Sequence, residues 1–488
     1  MSTLMNTYEE KTLAARLIPP VAHFKLSSEA LFRLCDGCQF IVKGDGEQVI
    51  ADAERYWRVT PQVQVLPPDT SLKPEAYTIE VTANEVTICA STCIGTQYAM
   101  KTLRQLAETE RGVLRYTHYI LPAVRITDEP ALLFRGMHIC WFPETPAWEI
   151  EKQIRLAAYY KFNYVGLGFW GNLKLESHPE FSWDECAVEQ TEVSRLVKLA
   201  KELGVTLIPQ ANLFGHASDS RVSSGKHALL SFHPEYASLF EPDGWTWCLS
   251  NRATRKYLTD IVCEIYELFE NPPYFFLGFD EAYNAKSCAL CRRSDYRKLV
   301  KEHLLYFYDL LKQRGSRVLL SHDMLLSRND ARWEGYITSG NPEFGLGNLY
   351  EVVPKDVIIC DWQYDYPEID GESPTWPTMK FFQENGFEVI VLPWLNAQGT
   401  ASLGKFAAKE NLLGVFATSW NLNHGQDMFR IYYSGSIAAW GTFQEEYSWV
   451  QYLSNYNRHL REIDCDMKVS EYSKLGSVQY QINPHDNV

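Results

Sequence analysis

Short apolar runs rich in β-branched and aromatic residues alternate with long segments of helical periodicity from about residue 130 onward. This alternation is typical of βα units around a parallel sheet. Eight runs predict eight strands, at 132–140, 163–169, 205–210, 274–279, 316–322, 356–362, 387–393 and 414–420. Because no glycine-rich dinucleotide fingerprint follows any of them, the pattern favours a (β/α)8 TIM barrel, an α/β fold, over an open doubly wound sheet.

The segments between these strands have apolar positions spaced as on one face of a helix, which predicts the outer helices of the barrel. Clear examples are WEIEKQIRLAAYYK (148–161), TEVSRLVKLAKELG (191–204), RKYLTDIVCEIYELF (255–269) and YRKLVKEHLLYFYDLL (296–311).

The first 128 residues have a different pattern. EAYTIEVTANEVTICAS alternates apolar and polar positions around Ala83-Asn84, as in an antiparallel hairpin, and a helix-like GTQYAMKTLRQLAE follows. The pattern predicts a small α+β domain at 1–128, the barrel at 129–445, and a helical or tail extension at 446–488 that packs on the barrel.

The bulk composition narrows the range of partners. A formal charge of −15 and a pI near 5.4, without any basic run, argue against nucleic acid and anionic membranes as partners. The N-terminal residues lack the apolar segment of a secretory signal, and no apolar stretch is long enough to span a membrane. Twelve cysteines in 488 residues are too few for a disulfide scaffold. We therefore expect a cytoplasmic protein with reduced thiols.

Two Cys-x-x-Cys pairs, Cys35/Cys38 and Cys288/Cys291, are candidates for a structural zinc site with four thiolates. Roughly 250 residues separate the pairs, unlike the compact spacing of zinc ribbons. The interpretation favoured here is reduced, partly buried cysteines, with no metal and no cofactor. The thiol-based metal protein stays open as an alternative.

Two adjacent acids, Asp280 and Glu281, directly follow the fourth predicted strand. In a TIM barrel this position lies at the active-site mouth, and adjacent residues leaving a strand point in different directions. The pair is therefore a candidate for acid–base chemistry on one ligand. On its own it could equally cap the following helix.

Other predicted strands and their ends carry residues that fit a sugar site. Indole rings stack on the apolar face of a pyranose, while its hydroxyls need charged or polar partners. These residues are Arg135, His216, Trp362, Trp394 and Trp420.

Several motifs together identify a family. LFRGMHIC, KFNYVGLGF, LIPQANLFGHAS and LGFDEAYN resemble, in this order, the strand-end motifs of glycoside hydrolase family 20, the exo-acting β-N-acetylhexosaminidases. The segment YTIEVTANEVTICASTCIGTQYAMKTLRQL resembles the small domain that precedes the barrel in that family. The resemblance covers roughly residues 70–440.

The resemblance implies hydrolysis with retention, in which the substrate's own acetamido carbonyl attacks the anomeric carbon. It implies that Glu281 is the acid and base, and that Asp280 orients the acetamido nitrogen. Arg135 would bind sugar hydroxyls, and His216 would support the acids. Trp362, Trp394 and Trp420 would form the walls of the sugar subsite.

The chain also departs from the family pattern. Phe279 stands where the family has glycine, which predicts a tighter cavity. Strand two reads GLGFWGN and lacks the family's aspartate, while WNLNHG after strand eight lacks its acidic residue. The family's Tyr-Leu-Asp at strand seven is Trp394-Leu395-Asn396, where the indole N–H can replace the phenol and Asn396 can still form hydrogen bonds.

These observations favour a hydrolase that removes terminal β-linked N-acetylhexosamine, GlcNAc or GalNAc, from an oligosaccharide or glycoconjugate. Two alternatives remain: the same acid pair acting on another β-glycoside, or a catalytically silent carbohydrate-binding protein. Retention of both acids argues against the silent protein. A homodimer is left open as the assembly.

Overall fold

In the computed structural model, the described residues are 10–111, 117–182, 187–217, 229–364, 375–420, 425–443 and 449–467. They divide into two compact units. The first comprises residues up to 131, 159–161 and the residues from 442 onward. The second comprises 132–158 and 162–441.

The first unit is built on a seven-stranded sheet. Its strands are β1 (His23–Leu34), β2 (Gln39–Lys43), β3 (Gln62–Leu66), β4 (Tyr77–Val81), β5 (Glu85–Ala90), β6 (Glu108–Arg111) and β7 (Thr117–Asp128). They pair in the order β1-β7-β4-β5-β2-β3, and β6 pairs with β7. The antiparallel pairing of β4 with β5 confirms the predicted hairpin.

Two helices accompany this sheet, α1 (Gly46–Trp57) and α2 (Cys93–Leu106). Side chains of the residue before each helix satisfy backbone N–H groups of the first turn. Asp45 accepts from the Gln48 N–H, and Thr92 accepts from the Gly95 N–H. Helix α2 confirms the helix that the periodicity predicts.

The second unit is a closed barrel of eight parallel strands, which confirms the predicted fold. The strands are β8 (Phe134–Trp141), β9 (Tyr164–Phe169), β10 (Thr206–Gln210), β11 (Tyr274–Phe276), β12 (Arg317–Ser321), β13 (Ile358–Asp361), β14 (Glu388–Val391) and β15 (Gly414–Thr418). Each lies within or close to its predicted run. The runs are apolar throughout because both faces of a barrel strand are covered.

Helices follow along the barrel segment. They are α3 (Ala147–Tyr159), α4 (Gln190–Glu202), α5 (Leu229–Phe232), α6 (Arg252–Leu268), α7 (Ala289–Arg292), α8 (Tyr296–Gln313), α9 (Pro377–Glu384), α10 (Ala397–Lys409) and α11 (Gly425–Trp440). Large side chains from the strands fill the barrel, where the Phe416 ring contacts those of Phe134 and Phe276. Such filling makes the barrel interior a packed core and leaves a site only at its ends.

The last described helix, α12 (Trp449–Asp466), belongs to the first unit. There Arg104 binds Asp466 at 2.8 Å. The domain boundaries at 128 and 445 stay predictions.

Candidate active site

A pocket lies at the carboxyl ends of the barrel strands and encloses about 640 Å³ of space, part of it open to solvent. This size suits a small organic ligand. The pocket is lined by Trp170, Gln210, Asn212, His216, Asp280, Glu281, Trp362, Tyr364, Trp394 and Trp420. Six of the eight residues singled out in the sequence are thus brought together here.

The backbone after β11 turns sharply to present the two acids. Gly278, Phe279 and Glu281 all have left-handed φ angles, of 61°, 75° and 50°. A larger residue in place of Gly278 would clash, since its Cβ would lie 2.5 Å from the Asn212 carboxamide oxygen. Left-handed non-glycine residues are costly, and such strain is often concentrated at functional sites.

The phenyl ring of Phe279 does not line the pocket. It is buried against Phe214, with 4.8 Å between ring centroids. The left-handed φ turns this side chain away from the pocket. The expectation that Phe279 tightens the cavity is therefore wrong.

His216 lies between the two acids. Its Nε2 is 3.5 Å from Asp280 Oδ2 and 3.2 Å from Glu281 Oε2. Burial lowers the pKa of this imidazole, but the charges and hydrogen bonds of Asp280 and Glu281 outweigh that effect and raise the pKa to about 10. His216 is therefore an imidazolium at neutral pH and offsets the repulsion between the adjacent carboxylates.

A third carboxyl group supports the acid loop from behind. Asp323 Oδ2 accepts the backbone N–H of Glu281 at 3.1 Å. Burial, together with the negative charge of Asp280, raises the pKa of Asp323 well above its usual range. This hydrogen bond holds the left-handed backbone of Glu281 in place.

Two aromatic residues orient Glu281. The Tyr283 hydroxyl donates to Glu281 Oε1 at 2.7 Å, and the Trp245 indole N–H donates to the Glu281 carbonyl at 2.6 Å. Trp245 also packs on the His216 ring, with centroids 4.4 Å apart. The carboxylate and the backbone of Glu281 are therefore both fixed.

Aromatic rings form the opposite wall. Trp362 stacks on Tyr364 at 5.3 Å, and Trp394 meets Tyr364 edge-on at 5.5 Å. The indole nitrogens of Trp362 and Trp394 are buried and have no hydrogen-bond partner among the described residues. A ligand with a hydrogen-bond acceptor would satisfy such a donor.

Arg135 does not lie in the pocket, which corrects the sequence interpretation. It is the second residue of β8, and side chains alternate along a strand. Phe134 and His138 face the barrel interior, so Arg135 points outward. There its guanidinium donates to the Leu132 carbonyl at 2.8 Å and lies 5.3 Å from the Trp440 ring.

Asn396 is also absent from the pocket lining. Its side-chain oxygen accepts the backbone N–H groups of Gln398 and Gly399, both at 3.0 Å, and so caps helix α10. Asn396, predicted to bind substrate, therefore caps a helix and does not line the pocket.

Sequence reasoning missed Trp170, Gln210, Asn212 and Tyr364 in the pocket and Asp323 behind it. A usable signal existed for most of them, because each is polar or aromatic and lies one to three residues after a barrel strand, apart from Gln210, which ends β10. His138, buried on β8, contacts Gln210 from below. Burial lowers the His138 pKa to about 4, so this imidazole is neutral.

The barrel and its mouth define a (β/α)8 protein with an acid pair in an aromatic pocket. Models of glycosyl hydrolase family 20 match the chain twice: domain 2 at residues 43–129 and the catalytic domain at 171–420. The chain belongs to glycosyl hydrolase family 20.

Curated relatives are β-hexosaminidases. That of Porphyromonas gingivalis is 27% identical over 292 residues, covering 54% of this chain and 36% of that protein. That of Akkermansia muciniphila is 24% identical over 268 residues, covering 48% of this chain and 50% of that protein. The matches thus span half or less of these relatives.

Solved structures share the fold. The family 20 exo-β-N-acetylglucosaminidase of Vibrio harveyi, solved with N-acetylglucosamine, has a TM-score of 0.68 at 17% identity, over 92% of this chain and 77% of that one. The β-N-acetylhexosaminidase of Bacteroides fragilis has a TM-score of 0.67 at 18% identity, over 91% of this chain and 96% of that one.

Among the described residues, no helix has the length and apolar character needed to cross a membrane.

The raised pKa of His216 predicts a pH-dependent stability. An imidazole whose pKa is higher in the folded state stabilises the folded protein. Its full contribution is present below the pKa of the unfolded state, about 6.5, and is lost as the pH rises through the folded-state pKa, about 10. We expect the difference in unfolding free energy between the wild type and His216→Gln to shrink from pH 6.5 to 10, measured by urea unfolding. His233→Gln, at an exposed pair with Glu235, is the control. A difference that stays constant across this range would contradict the imidazolium.

Proposed function

We propose that this protein is an exo-acting, retaining glycoside hydrolase that removes terminal β-linked N-acetylhexosamine, GlcNAc or GalNAc, by substrate-assisted catalysis. The observation that carries the proposal is the acid pair held around His216 at the barrel mouth, opposite an aromatic wall. The exo mode is proposed from the likeness to the Vibrio harveyi enzyme.

Glu281 is proposed as the general acid that protonates the leaving oxygen, and then as the base that activates water. Its side chain lines the pocket, and Tyr283 and His216 contact its two oxygens. Both contacts keep the carboxyl group in one orientation. A fixed proton donor suits a reaction whose geometry must be met within a fraction of an ångström.

Asp280 is proposed to orient the acetamido group and to stabilise the positive charge that develops on its nitrogen during ring closure. No protein nucleophile is then needed, since the acetamido oxygen attacks the anomeric carbon. His216, in contact with both acids, is the positioning residue that holds the Asp280 carboxyl group in place beside the pocket.

The aromatic wall suits the sugar and its acetamido group. Indole and phenol faces of Trp362, Tyr364 and Trp420 offer stacking surfaces to a pyranose and a methyl group. The unsatisfied Trp394 N–H is proposed to donate to the acetamido carbonyl, in the role that a phenol has in the family.

A different terminal sugar is the second candidate. Among the described residues that line the pocket, the acidic groups are Asp280 and Glu281, and the remaining hydrogen-bonding groups include the amides of Gln210 and Asn212. The groups that would read the outer hydroxyls therefore differ from those that the family pattern implies.

The two acids should fail differently when neutralised. Asp280→Asn should lower kcat by about 10²–10³ even with an aryl leaving group, because charge stabilisation is lost during ring closure. Glu281→Gln should cost about 10²–10⁴ with a sugar leaving group, but much less in the first step with an activated aryl group, which needs little protonation. Steady-state and burst kinetics on both substrate types measure this.

The control is Asp309→Asn, at an exposed acid on α8, which should leave both rates unchanged. Equal losses for aryl and sugar leaving groups in Glu281→Gln would exclude Glu281 as the general acid.

Trp394→Phe should keep much of the wall but remove the N–H. We expect kcat/KM to fall by a factor that corresponds to about 1.5–3 kcal/mol of transition-state free energy, the value of one hydrogen bond to a charged group. Trp333→Phe, at a buried tryptophan outside the pocket lining, is the matched control. An unaltered kcat/KM in Trp394→Phe would mean that the indole only packs.

A further inference from the structure

Three cysteine sulfurs meet beside the acid loop. Cys248 Sγ lies 3.6 Å from Cys288 Sγ and 3.7 Å from Cys291 Sγ. All three cysteines are free thiols. Tetrahedral zinc with Zn–S bonds of about 2.3 Å separates its sulfurs by about 3.8 Å. The spacing of these thiols therefore fits a shared metal ion.

A buried carboxylate completes the group. Glu241 is 1% exposed, and one ligand atom from each of Glu241, Cys248, Cys288 and Cys291 lies within 4.8 Å of the others. Glu241 Oε2 accepts from the Ser287 hydroxyl at 3.1 Å and from the Cys288 N–H. Its Oε1 is buried and has no partner among the described residues. A buried carboxylate oxygen without a donor is costly unless a cation satisfies it.

Backbone geometry at the Cys-x-x-Cys turn also suits thiolates. The Cys291 N–H donates to Cys288 Sγ at 3.2 Å, and Cys288 caps the short helix α7. Ser250 Oγ lies 3.1 Å from Cys291 Sγ. Hydrogen bonds of this kind to the ligands themselves orient them and tune a metal site.

We propose that Cys248, Cys288, Cys291 and Glu241 form a tetrahedral site for a structural zinc ion. Thiolate ligands select a soft or borderline cation such as zinc over magnesium or calcium. Four protein ligands close the coordination sphere, so the ion is structural and takes no part in the reaction.

The zinc would join the two loops that support the acid pair. Cys248 and Glu241 flank Trp245, whose indole donates to the Glu281 carbonyl at 2.6 Å. Cys288 and Cys291 lie on the chain that continues from Glu281. The ion would therefore link the segment that carries Glu281 to the segment that carries Trp245.

The sequence alternative had combined Cys288/Cys291 with Cys35/Cys38. The two pairs belong to different compact units, and the structure brings Cys248 and Glu241 to Cys288/Cys291 instead. Cys248 is a single cysteine in EPDGWTWCLS and matches no metal-binding motif. Only folding brings it to the pair.

The test uses the untagged full chain, purified without chelator, and measures metal by inductively coupled plasma mass spectrometry. We expect about one zinc per chain. The double variant Cys288→Ser/Cys291→Ser should lose at least about nine-tenths of it, and Cys35→Ser/Cys38→Ser, at the other Cys-x-x-Cys pair, should keep it. Zinc that persists in the first variant, or disappears equally in both, would overturn the proposal.

Failure of a variant to fold is handled by a second measurement on the wild-type protein. Titration with a mercurial reagent should block the thiols and release zinc, which a metallochromic indicator detects. After the zinc has been removed, its re-addition should restore the melting temperature of the protein. A metal-free wild type that neither takes up added zinc nor gains thermal stability from it would also overturn the site. So would a disulfide between Cys248 and Cys288 or Cys291, detected by peptide mapping.

Discussion

The ion pair of His216 with Asp280 and Glu281 is the interaction on which the site depends. Two adjacent carboxylates at the end of a buried strand repel each other, and each is costly to desolvate. The imidazolium, at 3.5 Å and 3.2 Å from them, offsets both costs. Without it, the loop from Gly278 to Glu281 would bring two carboxylates together with no positive charge between them. His216 thus offsets the charge of the acid pair, while Asp323 supports the left-handed backbone of Glu281.

The surrounding groups distribute this constraint over several strands. Asp323 comes after β12, Trp245 lies in the segment after β10, and each binds the backbone of Glu281. Glu281, which follows β11, is therefore oriented by elements that follow the two neighbouring barrel strands, β10 and β12. These contacts hold the acids rigidly on one side of the pocket, and aromatic rings line the other side. A sugar would lie between the two.

Much of this architecture could be predicted from the sequence, because barrel strands are apolar runs whose ends are marked by polar or aromatic residues. Asp280, His216 and the three tryptophans were found by that rule. Arg135 was wrong because it lies in the strand, where its direction depends on which positions face inward, and Asn396 because a helix begins directly after it. Asp323 was missed because it lies two residues beyond its strand. Cys248 and Glu241 were missed because they are distant in sequence from the Cys288/Cys291 pair, and only folding brings them to it.

In the proposed reaction, the substrate's acetamido group provides the nucleophile in this pocket. The most direct measurement is the ratio of kcat/KM for matched aryl β-N-acetylglucosaminide and β-glucoside substrates. We expect a preference of at least about 10³-fold for the acetamido substrate, since a well-oriented intramolecular nucleophile increases the rate by several orders of magnitude. Equal kcat/KM values, or no hydrolysis of any β-N-acetylhexosaminide, would contradict it.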